Sequence, residues 1–171
     1  MKKVLLFAGS NSSESINRKI IEQAAGMLNG HQASLIDLRD FPMPIFSVDL
    51  EKQEGVPEPA RRLRELFLEH DAFVVSVAEH NASVTTALKN TMDWVSRSQE
   101  DYRILLGKQV WLLSTSPAES GGASALEHAK AIFSILGAEV VGAFAIGRFF
   151  DTSEGNIYQQ VGQALKTLQY G

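Results

Sequence analysis

Short apolar runs alternate with segments of helical periodicity along this chain, and that alternation limits its fold more than any other feature. Strands that alternate with helices form a parallel sheet covered on both faces, so the pattern predicts a doubly wound α/β domain. For five strands we expect the order 2-1-3-4-5. The predicted strands are Lys3–Ala8, Ala33–Leu38, Ala72–Val77, Lys108–Ser114 and Ala138–Ile146; the predicted helices are Ser15 to a stop at Asn29-Gly30, Pro57–Glu69, Val84–Arg97, Ala123–Leu136 and Ser153–Leu168.

The turn between the first strand and the first helix is rich in small hydroxyl and amide residues. Gly9 to Glu14 contains Ser10 and Ser12, and Ser15 to Asn17 opens the helix. The first N–H groups of a helix have no partner within it, so such a turn favours an anion such as a phosphate. It matches neither GxGxxG nor the P-loop motif. An ordinary helix start, capped by Ser13 or Ser15, is the alternative.

Two other predicted connections are also unusual: Ala78 to Ser83, and the serine- and glycine-rich segment from Ser114 to Gly122. In the strand order 2-1-3-4-5 the turns after strands one, three and four meet outside the carboxyl ends of the strands, where ligands bind. The sequence therefore predicts one pocket built from these two segments and the Gly9 to Asn17 turn.

Composition narrows the classes of function. The chain has 171 residues, 44% hydrophobic content and a net charge of −4, with scattered Lys and Arg, which predicts a single domain, residues 1–171, without nucleic acid or membrane partners. The absence of cysteine excludes thiolate chemistry. The first apolar run, Val4 to Ala8, is too short for a signal peptide or a membrane span, so we expect a soluble cytoplasmic protein.

Few side chains near the predicted pocket are reactive. There is no GxSxG or HExxH motif, and the four histidines, His31, His70, His80 and His128, lack metal-ligand spacing. His80 lies just beyond the carboxyl end of the third strand and is a candidate general acid or base, or a loop residue that contacts the ligand. A phosphate-binding turn with polar loops and no strong nucleophile suits a cofactor that brings its own reactivity, such as FMN.

Three segments resemble the NADPH-dependent FMN reductases, a flavodoxin-like family that includes quinone, chromate and azo-dye reductases: GSNSSESIN (Gly9 to Asn17), AEHNAS with ALKNTMDWVSR (Ala78 to Arg97), and SPAESGG (Ser116 to Gly122). The resemblance implies that Ser10, Ser15, Ile16 and Asn17 hold the FMN phosphate. Many members have an arginine where this chain has Ser12, which is expected to donate to the phosphate through its hydroxyl instead.

The family's second motif, P-E-Y-N-x-S, lines the flavin ring. Glu79, Asn81 and Ser83 match it, whereas Ala78 and His80 replace the proline and tyrosine. The resemblance implies that His80 modulates the preference for electron acceptors. In the third motif, Ser116, Gly121 and Gly122 let the backbone approach the ring.

The resemblance implies an oxidoreductase that passes a hydride from NADPH or NADH through FMN to a quinone, flavin, nitro or azo acceptor. It also implies a homodimer or homotetramer. The apolar run Phe41 to Phe46 is a candidate oligomer contact or substrate wall, or it packs on its own domain. The alternative function is a non-enzymatic electron carrier or binding module with weak or lost FMN binding.

Overall fold

The computed structural model describes residues 1–97 and 101–169 and shows a five-stranded parallel sheet of order β2-β1-β3-β6-β7. In the numbering of the main sheet this is 2-1-3-4-5, which confirms the predicted flavodoxin-like topology. The strands of the sheet are β1 (Lys3–Gly9), β2 (Gln32–Leu35), β3 (Ala72–Val77), β6 (Gln109–Thr115) and β7 (Glu139–Ile146), and a separate hairpin is formed by β4 (Glu79–His80) and β5 (Ser83–Val84). The helices are α1 (Ile16–Met27), α2 (Val48–Glu54), α3 (Glu58–Glu69), α4 (Thr86–Val95), α5 (Ala123–Ile135), α6 (Glu154–Ala164) and α7 (Lys166–Gln169).

The sheet separates two apolar cores, because successive side chains of a strand point to opposite faces. On one face, Leu5 and Phe7 of β1 pack in a cluster with residues of α3, α4 and α5. On the other face, Val4 and Leu6 pack with residues of α1 and α6. The central strand β3 is buried along its whole length, as its continuous apolar run predicts.

The second strand is shorter than predicted and the connection after it is more ordered. β2 ends at Leu35 rather than Leu38, because the Asp37 side chain accepts a hydrogen bond from Arg39 N and begins a 3₁₀ turn, Leu38–Asp40. The sequence pattern predicts no helix between the second strand and Pro57, yet this stretch contains α2, which is capped by Ser47. This helix buries no residue, so it left no apolar period in the sequence.

Helix boundaries also differ from the predictions. Helix α4 begins at Thr86, two residues later than predicted, because the Thr85 hydroxyl accepts from Leu88 N and caps it. The final predicted helix is divided into α6 and α7 at Leu165. Within the described residues, every helix is too short or too polar to cross a bilayer.

The predicted break after β3 is a tight hairpin. Strands β4 and β5 pair antiparallel and are joined by Asn81 and Ala82, both left-handed, with φ of 50° and 59°. A two-residue hairpin turn of this kind requires positive φ at both positions. Asparagine tolerates that conformation, whereas alanine is strained in it, so the hairpin tip stores strain at Ala82.

Candidate functional site

Asn17 connects the first turn of α1 to the carboxyl ends of two strands. Its Nδ2 donates to the Thr115 carbonyl oxygen at 3.0 Å, and its Oδ1 accepts from Ser76 Oγ at 2.7 Å and from Thr115 N at 3.0 Å. Asn17 is only 3% exposed. Its amide oxygen is therefore occupied by protein donors, and the side chain positions the turn rather than facing outward.

The predicted phosphate turn is organised by its own hydroxyl groups. Ser10 Oγ accepts from Ser12 N and Ser12 Oγ accepts from Glu14 N, both at 3.2 Å. Ser15 Oγ accepts from Arg18 N at 3.3 Å, so Ser15 rather than Ser13 caps α1. Each hydroxyl uses its oxygen in these bonds and keeps its proton to donate to a ligand.

Arg18 brings a positive charge to this turn that sequence reasoning missed. It lines a small cavity of about 10 Å³ with Ser10, Ser12 and Ser15, among others, and its Nη1 forms an ion pair with Asp37. Its Nε also contacts a carboxylate oxygen of Glu22 at 2.9 Å. Arg18 lies three residues after the capping serine, on the first turn of α1, and this spacing is the sequence feature that indicates it.

Contacts between the three predicted segments show that they meet. Thr85 Oγ1, just after the hairpin, donates to Gly9 O at 2.8 Å. Glu79 accepts from Ala125 N at 3.2 Å and so caps α5, whose own N-cap residue is a glycine. The structure thus brings the turn after β1, the hairpin after β3 and the loop after β6 to one end of the sheet.

Two glycines in the loop after β6 are required by its conformation. Gly122 has φ of 84°, and a Cβ there would lie 2.1 Å from Ser114 Oγ. Gly121 has φ of 61°, and its Cβ would lie 2.7 Å from the backbone of Ile146. These glycines therefore allow close packing, of Gly122 against the Ser114 side chain and of Gly121 against the Ile146 backbone, independently of any ligand.

The remaining predicted site residues lie on the hairpin after β3 and on the loop after β6. His80 and Asn81 are exposed at the hairpin, and within the described part of the chain no hydrogen bond holds the His80 ring. Ser83 Oγ lies 2.9 Å from Nδ1 of His128, a residue of α5 that the sequence did not connect to the site. The half-buried Ser116 accepts at its carbonyl from Phe149 N at 3.1 Å.

Two adjoining cavities lie beside the hairpin and the serine-rich turn. The first, of about 430 Å³, is lined by Asn11 of the turn and by the second loop; the other, of about 580 Å³, reaches the Ser83–His128 pair. Both include Ile45, Thr86 and Asn90, so they form one groove along α4. The groove provides apolar walls with a few polar groups, the usual makeup of a small-molecule site.

The apolar run Phe41 to Phe46 is held against its own domain. Pro44 O accepts from Asn90 Nδ2 at 3.0 Å and from Trp94 Nε1 at 2.7 Å, and Phe46 packs edge-on against Trp94 at 5.0 Å. Asn90 and Trp94, both in the ALKNTMDWVSR segment, therefore organise packing. Ile45 stays 69% exposed and lines both parts of the groove.

Residues 2–151 match the sequence description of the NADPH-dependent FMN reductase family. The chain belongs to this family. Membership confirms the predicted oxidoreductase class and the two cofactors that define it, FMN and a reduced nicotinamide nucleotide.

Individual relatives agree with this assignment. An NAD(P)H-dependent FMN reductase of Pseudomonas aeruginosa is 30% identical over 177 residues, covering 96% of this chain and 93% of the relative. The quinone reductase of Escherichia coli is 33% identical over 99 residues, 58% of this chain and 52% of that protein, so the match spans about half of its length. The solved flavoenzyme NAD(P)H:(acceptor) oxidoreductase FerB of Paracoccus denitrificans has the same fold, with a TM-score of 0.76, 20% identity and coverage of 99% and 98%.

Proposed function

We propose that this protein is an FMN-dependent NAD(P)H oxidoreductase that reduces a small quinone, flavin, nitro or azo acceptor. The observation that carries the proposal is the joining of three loops by Asn17, Thr85 and Glu79, which places the serine-rich turn, the hairpin and the loop after β6 around one end of the sheet. The relatives named as FMN and quinone reductases support the acceptor class.

The residues of the turn suit a phosphate. Ser10, Ser12 and Ser15 each have a hydroxyl proton to donate, and Ile16 N lies among the unpaired N–H groups at the start of α1. Arg18 lines the same cavity as Ser12, and many family members place an arginine in the turn itself. In this chain the Arg18 guanidinium is paired with Asp37 and Glu22, so its charge is partly compensated. In this proposal the side chain of Asn17 orients the turn, and only the backbone of Asn17 contacts the ligand.

The flavin ring would lie between the hairpin, with Glu79, His80, Asn81 and Ser83, and the loop of Ser116, Gly121 and Gly122. The chemistry that FMN supplies when bound is hydride acceptance from NAD(P)H and transfer to the acceptor. The chain positions both substrates in turn over one ring, so we expect ping-pong kinetics with parallel double-reciprocal lines. Intersecting lines would contradict a shared position.

The groove along α4 is the proposed acceptor site, with Ile45 as its apolar wall. His80 stands at its hairpin rim without a hydrogen bond from the described residues. Substitution of His80→Tyr should therefore change the relative rates with quinone and azo acceptors. Unchanged ratios would remove His80 from acceptor selection. A homodimer or homotetramer covering Ile45 is part of the same proposal, and sedimentation as a monomer would exclude it.

The deciding experiment is a visible absorption titration of the purified protein with FMN, followed by NADPH under nitrogen. A bound flavin spectrum that bleaches with NADPH is the expected result. Substitution of Ser12→Arg restores the family's cation and should tighten FMN binding about tenfold, with Ser13→Arg as a matched control at the exposed neighbouring position. Absence of any bound flavin would leave the non-enzymatic binding module as the function, and bleaching only with a separate reductase would indicate an electron carrier.

A further inference from the structure

A second cavity of about 550 Å³ lies on the opposite side of the sheet from the groove. It is formed between α1 and the segment that connects β7 to α6, and its lining includes Lys19, Gln23, Phe149, Phe150 and Glu154. None of these residues belongs to the motifs that the family resemblance uses. The cavity has the size of an ordinary small-molecule site and needs a separate explanation.

The polar group that distinguishes this cavity is the amide of Gln23. Its Oε1 is buried, and no donor within residues 1–97 and 101–169 reaches it. Buried acceptors without a partner are rare in folded proteins. Since no protein hydrogen bond holds the oxygen, a rotation of the amide that turned it towards a ligand in the cavity would break none. A ligand with adjacent donor and acceptor atoms would satisfy both ends of the amide.

The aromatic group of the cavity is the pair Phe149 and Phe150. The two rings meet edge-on, with their centroids 5.4 Å apart, and Phe150 is 70% exposed. An exposed phenylalanine beside a polar cavity offers a face on which a flat ring can stack. The ionisable groups at the rim are Lys19, Glu22 and Glu154, whose charges sum to −1, so the cavity itself does not favour a phosphate.

We propose that this cavity binds an adenine base, stacked on Phe150 and paired through the Gln23 amide. Adenine carries an amino donor beside a ring-nitrogen acceptor, and glutamine pairs with that edge through two hydrogen bonds. Glu154 and Glu22 line the cavity and can accept from ribose hydroxyls, as acidic residues do in other nucleoside sites. Glu22 would do so through Oε2, because Arg18 contacts its Oε1. The ligand is either a free adenine nucleoside or the adenosine end of NADH; the second source rests on the proposed function.

Calorimetric titration of the full-length protein, with and without FMN, tests the site with two nucleosides. Adenosine should bind, and purine riboside, which lacks the amino group, should bind about tenfold more weakly. Gln23→Met should remove the difference between the two nucleosides, whereas Phe150→Ala should weaken both about tenfold. Tyr158→Ala is the matched control, since Tyr158 is half exposed on α6 outside the cavity lining. No saturable binding of adenosine, or equal binding of the two nucleosides to the wild type, would overturn the proposal.

The source of the base follows from competition. If adenosine raises the KM for NADH without changing kcat, the cavity holds the adenosine end of the dinucleotide; if adenosine binds and this KM does not move, the site takes a free nucleoside. Failure of the proposed function is distinguishable, because it would show as absent FMN binding or absent bleaching while adenosine still binds. Failure of the adenine site would leave flavin reduction intact.

Discussion

Replacement of Asn17 by alanine should be among the most destabilising single changes in this protein. It removes the hydrogen bonds to Ser76 Oγ, to Thr115 N and to Thr115 O. All three partners are buried, since Ser76 is 0% and Thr115 is 1% exposed. A buried polar group left without a partner costs about 1–3 kcal/mol, so for three such groups we expect a loss of about 3–9 kcal/mol in the free energy of unfolding. Since the free energy of unfolding of a domain is typically about 5–15 kcal/mol, this loss would bring the protein close to unfolding.

Urea unfolding followed by tryptophan fluorescence measures this change, because Trp94 and Trp111 are both buried. Ser76→Ala alone should cost about 1 kcal/mol, since it removes one hydrogen bond. In the Asn17→Ala background the same substitution should recover about 1 kcal/mol, because it deletes a hydroxyl that has already lost its acceptor. Additive losses, or an Asn17→Ala protein within about 0.5 kcal/mol of the wild type, would refute the reasoning.

Asn17→Asp separates positioning from binding. The aspartate keeps an acceptor for Ser76 and Thr115 N but loses the donor to Thr115 O and places a negative charge beside the serine-rich turn. We therefore expect weaker binding of FMN and little change for riboflavin, which has no phosphate. An equal loss for both flavins would show that the turn has been deformed rather than charged.

Three further changes test the backbone and the ionisation of the fold. Ala82→Gly should raise the free energy of unfolding by about 1 kcal/mol and Tm by about 2–4 °C, because Ala82 has φ of 59°; a lower Tm would contradict strain there. Gly122→Ala should cost about 3 kcal/mol, measured by urea unfolding, since its Cβ would lie 2.1 Å from Ser114 Oγ. Burial lowers the pKa of Lys108 below its ordinary value of 10.5, so Lys108 binds its proton less readily in the folded state than in the unfolded state. The free energy of unfolding of the wild type, relative to that of Lys108→Met, should therefore rise as pH increases towards 10.5. A fall over this range would contradict the prediction.

The topology could be predicted from the sequence because the strongest local patterns agree with it. The buried run Ala72–Val77 and the helical spacing that follows each strand leave few arrangements for a right-handed parallel sheet. What could not be predicted depends on weak patterns. Helix α2 buries nothing, and the hairpin strands β4 and β5 contain two residues each, too few to show a period.

Part of the candidate site could likewise be predicted from the sequence, and part could not. The meeting of its three loops follows from strand order, which periodicity predicts. The role of Asn17 as a link between strands does not, because it depends on Ser76 and Thr115, which lie 59 and 98 residues away in sequence. The ion pair of Arg18 with Asp37 could not be predicted for a related reason: Asp37 follows β2, and the parallel pairing of β1 with β2 brings the two residues together.

The loop after β6 and the segment after β7 are joined along their backbones. Phe149 N donates to Ser116 O at 3.1 Å and Arg148 N donates to Ala118 O at 2.9 Å, while Gly147 lies so close that a Cβ would be 2.1 Å from Glu119 O. A displacement of one loop must therefore move the other. By thermodynamic linkage, if a flavin on one side alters the affinity for a nucleoside on the other, the nucleoside must alter the affinity for the flavin by the same factor.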